Sequence, residues 1–456
     1  MSQNPMQLYA VPSLIPHFGE ATIPSPLLSS FGSNNFVRDG TDRILADVSL
    51  HGLANALRPS EGQVVFTPES FELAGPREHI YWNSEYAKVA IVTCGGIAPG
   101  LNNVVQNIVT VLCDRYKIQH IYGVPFGYYG FSHDSESKRF RFAWRRLDSR
   151  AVQNIDGEAG SILGTGRGHS DPVAIVDALV LRDINILFTL GGDGTLNGAQ
   201  AIYQEINKRN LPIGVIGIPK TIDNDVLCVS KSFGFESAIG KAVEALRCAQ
   251  TEARGAFNGI GLVKLMGRNS GALTASAAAA VSDLDFVLVP EIELVLHGEN
   301  GFLHSLIKKV VEKGYATIAV AEGAGQNLFE LEEKQFDASG NIKLKDIGRY
   351  LQTAIVAEFK SRSIETSLKY IDPSYMLRAQ VTTADDALFC QNLGQNAVHA
   401  AMAGKTGMMI GYAHDRFTHV PLSAVAQGKK HLDINGPIWL SVLAGTGQPA
   451  QWQSIK

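Results

Sequence analysis

Five consecutive residues, Gly191-Gly192-Asp193-Gly194-Thr195, have the composition of a turn that binds phosphate. They follow the apolar run 184–190, which predicts a buried strand, and they precede a helical pattern that begins at Asn197. Glycines at a strand end let backbone N–H groups approach an anion, and a helix N-terminus favours negative charge. Asp193 adds a carboxylate where a phosphate-bound Mg²⁺ would lie. A plain strand-to-helix turn with a capping aspartate explains these five residues equally well.

A second polar stretch, Lys220-Thr221-Ile222-Asp223-Asn224-Asp225, directly follows the predicted strand 213–218. Open α/β sheets bind ligands at the carboxyl ends of their strands, so these side chains are placed for chemistry. Asp223 could accept a proton from a hydroxyl group, and Asp225 could help to organise a metal ion. The alternative is an Asx-rich turn that caps a helix.

Further glycines and arginines stand at other strand ends. Gly95 and Gly96 separate the strand 89–93 from a helical pattern over 101–112, and the glycine-rich loop 162–168 carries one arginine. Neither stretch has the G-x-G-x-x-G pattern, so a Rossmann dinucleotide site is not indicated. Arg268 and Arg378 also follow strand ends, which makes phosphate binding an alternative to the solvated surface position that arginine usually has.

The elements that must position these residues alternate between strand and helix from residue 88 onward. Further strands are predicted over 260–265, 286–289, 317–321, 368–371 and 408–412, and helices over 235–253, 272–281 and 385–402. Sustained alternation predicts an α/β fold with parallel-rich sheets and helices on both sheet faces. A chain of 456 residues is too long for one compact core, so at least two domains are expected.

Residues 1–87 have a different texture, rich in proline and serine and weakly periodic. We interpret them as an extension that packs on the main body or on another subunit. Residues 1–35 are expected to be a disordered tail. Within the extension, 64–66 resembles a short strand and 41–57 contains helical material.

Composition excludes several classes of protein. A net charge of −4 gives no reason to expect nucleic acid or an acidic membrane as a partner. The five cysteines show no C-x-x-C spacing, which favours a reduced, intracellular setting. The first 37 residues lack Lys and Arg, and no apolar run reaches membrane-spanning length, so we expect a cytoplasmic protein with no membrane association.

The order of the motifs along the chain resembles that of the phosphofructokinases. They are G-G-I-A-P-G-L-N, G-G-D-G-T, P-K-T-I-D-N-D, M-G-R, A-E-G and Y-M-L-R, and the match runs from about residue 87 to 411. T-I-D-N-D with a downstream M-G-R is the most specific part. The stretch 369–375, K-Y-I-D-P-S-Y, is similar to the long-chain ATP-dependent branch, which is related to the pyrophosphate-dependent enzymes.

The resemblance implies Mg²⁺-assisted transfer of a phosphoryl group from ATP to the 1-hydroxyl of fructose 6-phosphate. Asp223 would be the general base, with Thr221, Arg268 and Lys220 beside it. Positions implied for ATP are Gly95, Gly96, Arg167, Gly168, Gly192, Asp193, Gly194 and Thr195, and those for Mg²⁺ are Asp193 and Asp225. Positions implied for the sugar phosphate are Thr221, Ile222, Asp223, Met266, Gly267, Arg268, Glu322, Lys369, Tyr375, Met376, Leu377 and Arg378.

The implied architecture has two doubly wound α/β subdomains with the site in the cleft between them. Residues 88–235 with about 379–425 would bind the nucleotide, and 236–378 with about 426–456 would bind the sugar phosphate. The resemblance also implies a glycolytic, allosterically controlled homotetramer. Three departures from the short bacterial pattern, at Gly259, Lys369 and Tyr375, leave open how subunits share their sites.

The phosphoryl donor is the main alternative that the residues leave open. Gly194 is the ATP-type residue, because an aspartate there would crowd and repel the nucleotide. Lys220 is instead typical of pyrophosphate-dependent enzymes. We give Gly194 more weight, since ATP needs the space while the extra cation suits either donor. An NAD or lipid kinase would not explain M-G-R, and a catalytically silent regulatory subunit would not need Asp193 and Asp223.

Overall fold

A computed structural model of the chain describes residues 14–56, 69–133, 140–168, 171–329, 335 and 342–452. The strand predicted over 64–66, including Phe66, lies outside these residues. The strands are β1 (Ile23–Pro24), β2 (Arg43–Leu45), β3 (Ser70–Leu73), β4 (His79–Ile80), β5 (Lys88–Thr93), β6 (His120–Val124), β7 (Arg145–Leu147), β8 (Ile186–Gly191), β9 (Gly214–Pro219), β10 (Gly259–Leu265), β11 (Phe286–Leu288), β12 (Tyr315–Ala321), β13 (Ser367–Ile371), β14 (Met408–Ala413) and β15 (Arg416–Pro421).

The helices separate most of these strands along the chain. They are α1 (Leu28–Phe31), α2 (Leu50–Ala56), α3 (Leu101–Thr110), α4 (Pro172–Leu181), α5 (Asp193–Lys208), α6 (Phe235–Arg254), α7 (Ala272–Ala279), α8 (Phe302–Lys313), α9 (Ile347–Ser361), α10 (Ser374–Arg378), α11 (Ala384–Met402), α12 (Leu422–Val425) and α13 (Pro437–Thr446). No helix within the described ranges is both long enough and apolar enough to cross a membrane.

Two sheets form the body of the molecule. The larger has nine strands in the order β2-β3-β15-β14-β9-β8-β5-β6-β7, with a parallel centre from β14 to β6 and antiparallel pairs at both edges. The smaller has four parallel strands in the order β11-β12-β10-β13. A separate two-stranded ribbon joins β1 to β4. The predicted α/β class with parallel-rich sheets is confirmed.

Helices cover both faces of each sheet, as the doubly wound prediction requires. In the larger sheet, α3 and α11 pack on one face and α4 and α5 on the other. In the smaller, α6 and α7 lie on one face and α8 and α9 on the other. Strands buried on both faces read as continuous apolar runs, which is why 184–190 and 213–218 were recognisable.

Close packing explains the glycine at position 259. A Cβ atom there would lie 2.1 Å from the carbonyl oxygen of Ala253, and one on Gly261 would lie 2.5 Å from that of Ala249. The two glycines therefore let α6 lie directly against β10. Gly259 begins β10, whereas Arg268 follows its end, so a side chain at 259 would stand at the far end of the strand.

The described parts of the N-terminal extension, 14–56 and 69–87, belong to the fold. The prediction of a disordered tail is wrong for residues 14–35, where Ile15 and Leu27 are buried and β1 pairs with β4. Further along, β3 pairs with β15 and β2 with β3, so the extension supplies the last two strands of the larger sheet. Tertiary pairing overrides the weak periodicity of this segment.

A buried ionic cluster fastens the added strands to the sheet. Glu72 on β3 accepts a hydrogen bond from Arg77 (Nη2 to Oε1, 2.8 Å) and lies 3.1 Å from the Nζ atom of Lys405. The Nδ1 atom of His419 on β15 lies 2.9 Å from the same carboxylate. Asp39, half-exposed, contacts both Arg77 and Lys405 at 2.9 Å. Glu72 thus compensates two buried cations at once.

We predict that Glu72→Ala lowers the free energy of unfolding by about 2–4 kcal/mol, because it leaves Asp39, which is half-exposed, as the carboxylate that pairs with Arg77 and Lys405. Urea-induced unfolding measures the change. Glu69→Ala, which removes an exposed carboxylate just before the same strand, is the control. Equal unfolding midpoints for the two variants would show that the cluster does not stabilise the fold.

Candidate active site

A cleft of about 550 Å³ opens where strands of both sheets end. The turns after β5, β8 and β9 line it from the larger sheet, and those after β10 and β12 from the smaller. Most of the predicted site residues meet here: Gly95, Gly96, Arg167, Gly168, Gly192, Asp193, Gly194, Thr195, Lys220, Thr221, Ile222, Asp223, Asp225, Met266, Arg268, Glu322 and Arg378.

The glycine turn after β8 runs straight into a helix. Gly192 is the N-cap of α5, which begins at Asp193, four residues before the helical pattern predicted from Asn197. A Cβ atom on Gly191 would lie 2.1 Å from Oγ1 of Thr195, and one on Gly192 would lie 3.1 Å from the carbonyl oxygen of Lys220. Packing therefore requires glycine at 191 and favours it at 192, and the N-terminal turn of α5 lines the cleft, where a helix N-terminus favours an anion.

Gly194 differs from its two neighbours in this turn. A Cβ atom there would meet no atom within 4 Å, although the residue lines the cleft. The fold itself leaves room for a side chain at this position. Packing within the protein therefore does not explain glycine at 194.

The loop after β9 is held rigidly by side-chain hydrogen bonds. Thr221 donates from Oγ1 to Oδ1 of Asp225 (3.1 Å) and accepts from the N–H of Asp223 (3.1 Å). Ser232 donates to the carbonyl oxygen of Thr221 (2.7 Å), and Asn224, at φ +51°, donates to that of Ser230 (3.0 Å). These contacts fix the backbone that presents Asp223.

Asp223 has the properties of a proton acceptor. No group among the described residues donates a hydrogen bond to its buried Oδ1 atom. Burial raises the pKa of Asp223 to about 7, and the negative charges of Asp225 and Glu322 add to the shift. Burial also raises the pKa of Glu322. A carboxylate that binds its proton near neutral pH is well matched to general base catalysis.

Three cations converge on the turn after β5. A Cβ atom on Gly96 would lie 2.8 Å from Nη1 of Arg378 and 3.1 Å from Nη2 of Arg167. Lys220 donates from Nζ to the carbonyl oxygen of Gly96 (2.6 Å). Burial, and then the charge of Arg378, lower the pKa of Lys220 to about 8. Three neighbouring cations make this turn suited to a phosphoryl group, although Glu322 and Asp223 offset part of the charge of Arg378.

The residues proposed for Mg²⁺, Asp193 and Asp225, lie close to one another in the cleft. Burial raises the pKa of Asp193, and the nearby charge of Asp225 raises it further. No cluster of three or more His, Cys, Asp or Glu side chains suited to a metal ion occurs in the described part of the chain. Mg²⁺ bound with substrate phosphates needs only one or two carboxylates, so Asp193 and Asp225 fit it.

Five predicted sugar-phosphate positions do not line the cleft. Lys369 is exposed on the edge strand β13, Tyr375 is 79% exposed with the guanidinium of Arg378 5.5 Å from its ring centre, and Met376 is also exposed. Leu377, in α10, is fully buried in the hydrophobic core. Gly267, at φ +126°, shapes the turn that presents Arg268.

The sequence interpretation missed other residues of the cleft. Cys94, Ile97, Ala98, Tyr128 and Gly166 also line it. Tyr128 donates a hydrogen bond to the carbonyl oxygen of Thr195 (2.8 Å) and so stabilises the turn between β8 and α5. Tyr128 follows the missed strand β6, and no local motif marked it. For Cys94, its place next to Gly95 was the one feature of the sequence that could have indicated a position in the cleft.

The sequence matches the family model described as phosphofructokinase over residues 88–401, more than half of the chain. The chain belongs to the phosphofructokinase family. The match begins at β5, so the strands that the N-terminal extension adds to the larger sheet lie outside it.

Several relatives resemble this phosphofructokinase over most of its length. An ATP-dependent 6-phosphofructokinase of Borreliella burgdorferi is 46% identical, over 83% of this chain and 85% of the relative. One of Amycolatopsis methanolica is 39% identical, over 96% of this chain and 95% of the relative. One of Entamoeba histolytica is 41% identical, over 95% of each chain.

Solved structures share the fold of this phosphofructokinase at lower identity. A pyrophosphate-dependent phosphofructokinase from Marinobacter aquaeolei aligns with a TM-score of 0.61 at 19% identity, over 81% of this chain and 94% of that one. Pichia pastoris phosphofructokinase in the T-state aligns with a TM-score of 0.60 at 20% identity, over 84% of this chain and 42% of that one.

We predict that Asp223→Asn stabilises this phosphofructokinase in the absence of ligands. The unfolded chain ionises Asp223 near pH 3.8 and the folded chain near pH 7, so rising pH costs the parent stability between these values. The variant should gain about 1–3 kcal/mol at pH 8 and nothing at pH 4. Urea-induced unfolding at both pH values measures the gain.

The control for this prediction is Asp156→Asn, an exposed aspartate that accepts a hydrogen bond from Gln106 outside the cleft. It should not gain stability as the pH rises. A gain at pH 8 no larger for Asp223→Asn than for Asp156→Asn would mean that Asp223 ionises as an ordinary carboxyl group.

Proposed function

We propose that the protein is an ATP-dependent 6-phosphofructokinase, which transfers the γ-phosphoryl group of ATP to the 1-hydroxyl of fructose 6-phosphate and releases ADP. Relatives that cover most of the chain carry this name. The cleft supplies the parts that phosphoryl transfer requires, namely a base, convergent cations and carboxylates for a metal ion.

The proton of the attacking hydroxyl passes to Oδ1 of Asp223. This atom is buried and accepts no hydrogen bond from the described residues, so a substrate hydroxyl is the group that completes it. The Thr221 hydroxyl accepts a hydrogen bond from the backbone N–H of Asp223 and donates one to the Asp225 carboxylate, so it positions the base. The other wall carries Glu322, whose carboxylate suits the remaining sugar hydroxyls.

Arg167, Arg378 and Lys220 offset the negative charge that the phosphoryl group carries during transfer. All three side chains line the cleft and lie close to Gly96, which supports this role. The guanidinium of Arg268 lines the same cleft from the turn after β10. Mg²⁺ held by Asp193 and Asp225 would neutralise the phosphate chain of the nucleotide.

One observation favours ATP as the donor. The space in front of Gly194 is unfilled by the protein, and a nucleotide needs that space whereas pyrophosphate does not. Lys220, the residue that suggested pyrophosphate, is buried and already donates to the carbonyl oxygen of Gly96. Its charge serves a phosphoryl group from either donor.

The direct test of the proposal is a coupled assay of the purified protein with fructose 6-phosphate and Mg²⁺, with ATP and pyrophosphate compared at equal concentration. Turnover with ATP alone is the expected result. A preference for pyrophosphate would show that Lys220, not Gly194, determines the donor.

The division of labour between the halves of the chain and the assembly are also proposals. Residues 88–235 with about 379–425 bind the nucleotide, and 236–378 with about 426–456 bind the sugar phosphate. The enzyme acts as a homotetramer in the cytoplasm. Exposed apolar side chains outside the cleft support assembly, among them Tyr375, Met376, Val381 and Leu388.

We predict that Asp223→Ser lowers turnover by about 10²–10⁴-fold while affinity for ATP stays within about twofold, because the variant loses the base but keeps both glycine turns. Steady-state kinetics and equilibrium nucleotide binding measure the two quantities. Near-normal turnover would remove Asp223 from the mechanism.

We also predict that Gly194→Asp abolishes turnover with ATP. The new carboxylate would enter the unfilled space and repel the nucleotide's phosphates, at a cost of several kcal/mol, or about 10³-fold in affinity. Gly240→Asp is the control, because Gly240 is an exposed glycine on α6 with the same free space around it. Full ATP turnover by Gly194→Asp would disprove the crowding argument.

A further inference from the structure

The segment that follows α12 packs against loops that line the cleft and contacts both halves of the molecule. The N–H of Lys430 donates to the carbonyl oxygen of Asp225 (2.9 Å), in the loop that carries the base. One residue later, Nδ1 of His431 lies 2.7 Å from the carbonyl oxygen of Asn269, next to Arg268. The N–H of Leu432 donates to Glu291 (2.7 Å).

These contacts fix the backbone of the segment. The half-buried side chain of Lys430 donates from Nζ to two carbonyl oxygens, those of Val229 (2.7 Å) and Ser230 (3.2 Å). Glu291 also accepts from the N–H of Gly271 (2.9 Å) and so ties the segment to the start of α7. The residue before Lys430 is therefore held at a defined place in the cleft.

That residue is Lys429, which no motif singles out. Its Nζ atom lies 3.6 Å from Oδ2 of Asp193, the carboxylate proposed for Mg²⁺, and its side chain remains 30% exposed. The other oxygen of Asp193 accepts from Asn197 (3.3 Å). An ammonium group thus lies where a divalent cation would approach, on a side chain long enough to move away.

We propose that Lys429 is an exchangeable counter-ion of the donor site. In the empty cleft its ammonium neutralises Asp193, and when a metal–nucleotide complex binds, the metal takes Asp193 and the ammonium turns to an oxygen of the nucleotide's phosphates. The ammonium has an anionic partner in both positions, because the phosphates of the nucleotide supply negative charge when the metal engages the Asp193 carboxylate. The inference rests on the proposed function, since it needs a nucleotide as ligand.

Exchange has opposite consequences for the bare metal and for the metal–nucleotide complex. A bare divalent cation must displace the ammonium without offering it a new partner, so Lys429 weakens its binding. A metal–nucleotide complex offers phosphate oxygens, so Lys429 strengthens its binding. A residue that merely supports the fold would change both affinities in the same direction.

The test measures binding of Mn²⁺ alone and of Mn²⁺–ADP to the full chain by water-proton relaxation enhancement. Lys429→Met should bind Mn²⁺ alone about 2–5-fold more tightly than the parent. It should bind Mn²⁺–ADP about tenfold more weakly. The control is Lys88→Met, because Lys88 pairs with Asp183 at 3.1 Å, is 31% exposed and stands at the opposite end of β5. Both affinities should stay unchanged in the control.

Opposite changes in the two affinities are the result that supports the exchange. A loss of both, a gain of both, or no change in either one would overturn it. Failure of the parent chain to bind Mn²⁺–ADP would contradict the proposed function and this inference together. Normal binding by the parent with an unaltered Lys429→Met variant would contradict the inference alone.

Discussion

Negative charge enclosed in one cleft is the constraint on which the site depends. Asp223, Asp225 and Glu322 come from two different sheets, and burial together with their mutual repulsion raises the pKa of Asp223 to about 7. In the same cleft, Arg167, Arg378 and Lys220 converge on Gly96, and the carboxylates of Glu322 and Asp223 offset part of the charge of Arg378. In the proposed function, a substrate hydroxyl would pair with Asp223, and a phosphoryl group and a metal ion would balance the remaining charges. Binding energy would then be concentrated at the reacting atoms.

The architecture follows from the need to hold these groups against their repulsion. Parallel strands buried on both faces end at one edge, and the turns after β5, β8 and β9 meet those after β10 and β12 there. Gly191 leaves room for the Thr195 side chain, and Gly192 lies close to the backbone of Lys220. The Thr221–Asp225 and Ser232–Thr221 hydrogen bonds keep the loop of Asp223 rigid. At the far edge of the larger sheet, Glu72 ties the N-terminal strands to the core.

Most of the parallel strands and most of the cleft were predictable because their signals are local. Buried parallel strands give apolar runs, and strand-end glycines and carboxylates mark the turns. The features that the sequence did not predict depend on distant contacts. Residues 14–35 and the strands β2 and β3 gain their structure by pairing with β4 and β15. Tyr128 holds the turn at Thr195, and Lys429 reaches Asp193, through packing that no motif encodes. Of the sugar-phosphate positions taken from the resemblance, Lys369, Tyr375 and Met376 are exposed and Leu377 is in the core, since a motif marks a segment and not the direction of each side chain.

The most direct measurement of the central claim is the titration of Asp223 itself in the unliganded protein. The infrared carbonyl band of its protonated carboxyl group can be isolated as the difference between the parent and Asp223→Asn, and followed from pH 4 to pH 9. Enclosed negative charge predicts that this band disappears with a midpoint near pH 7, and that Glu322→Gln moves the midpoint to lower pH. A carboxyl group already ionised below pH 5, or a midpoint that Glu322→Gln leaves unchanged, would contradict the account.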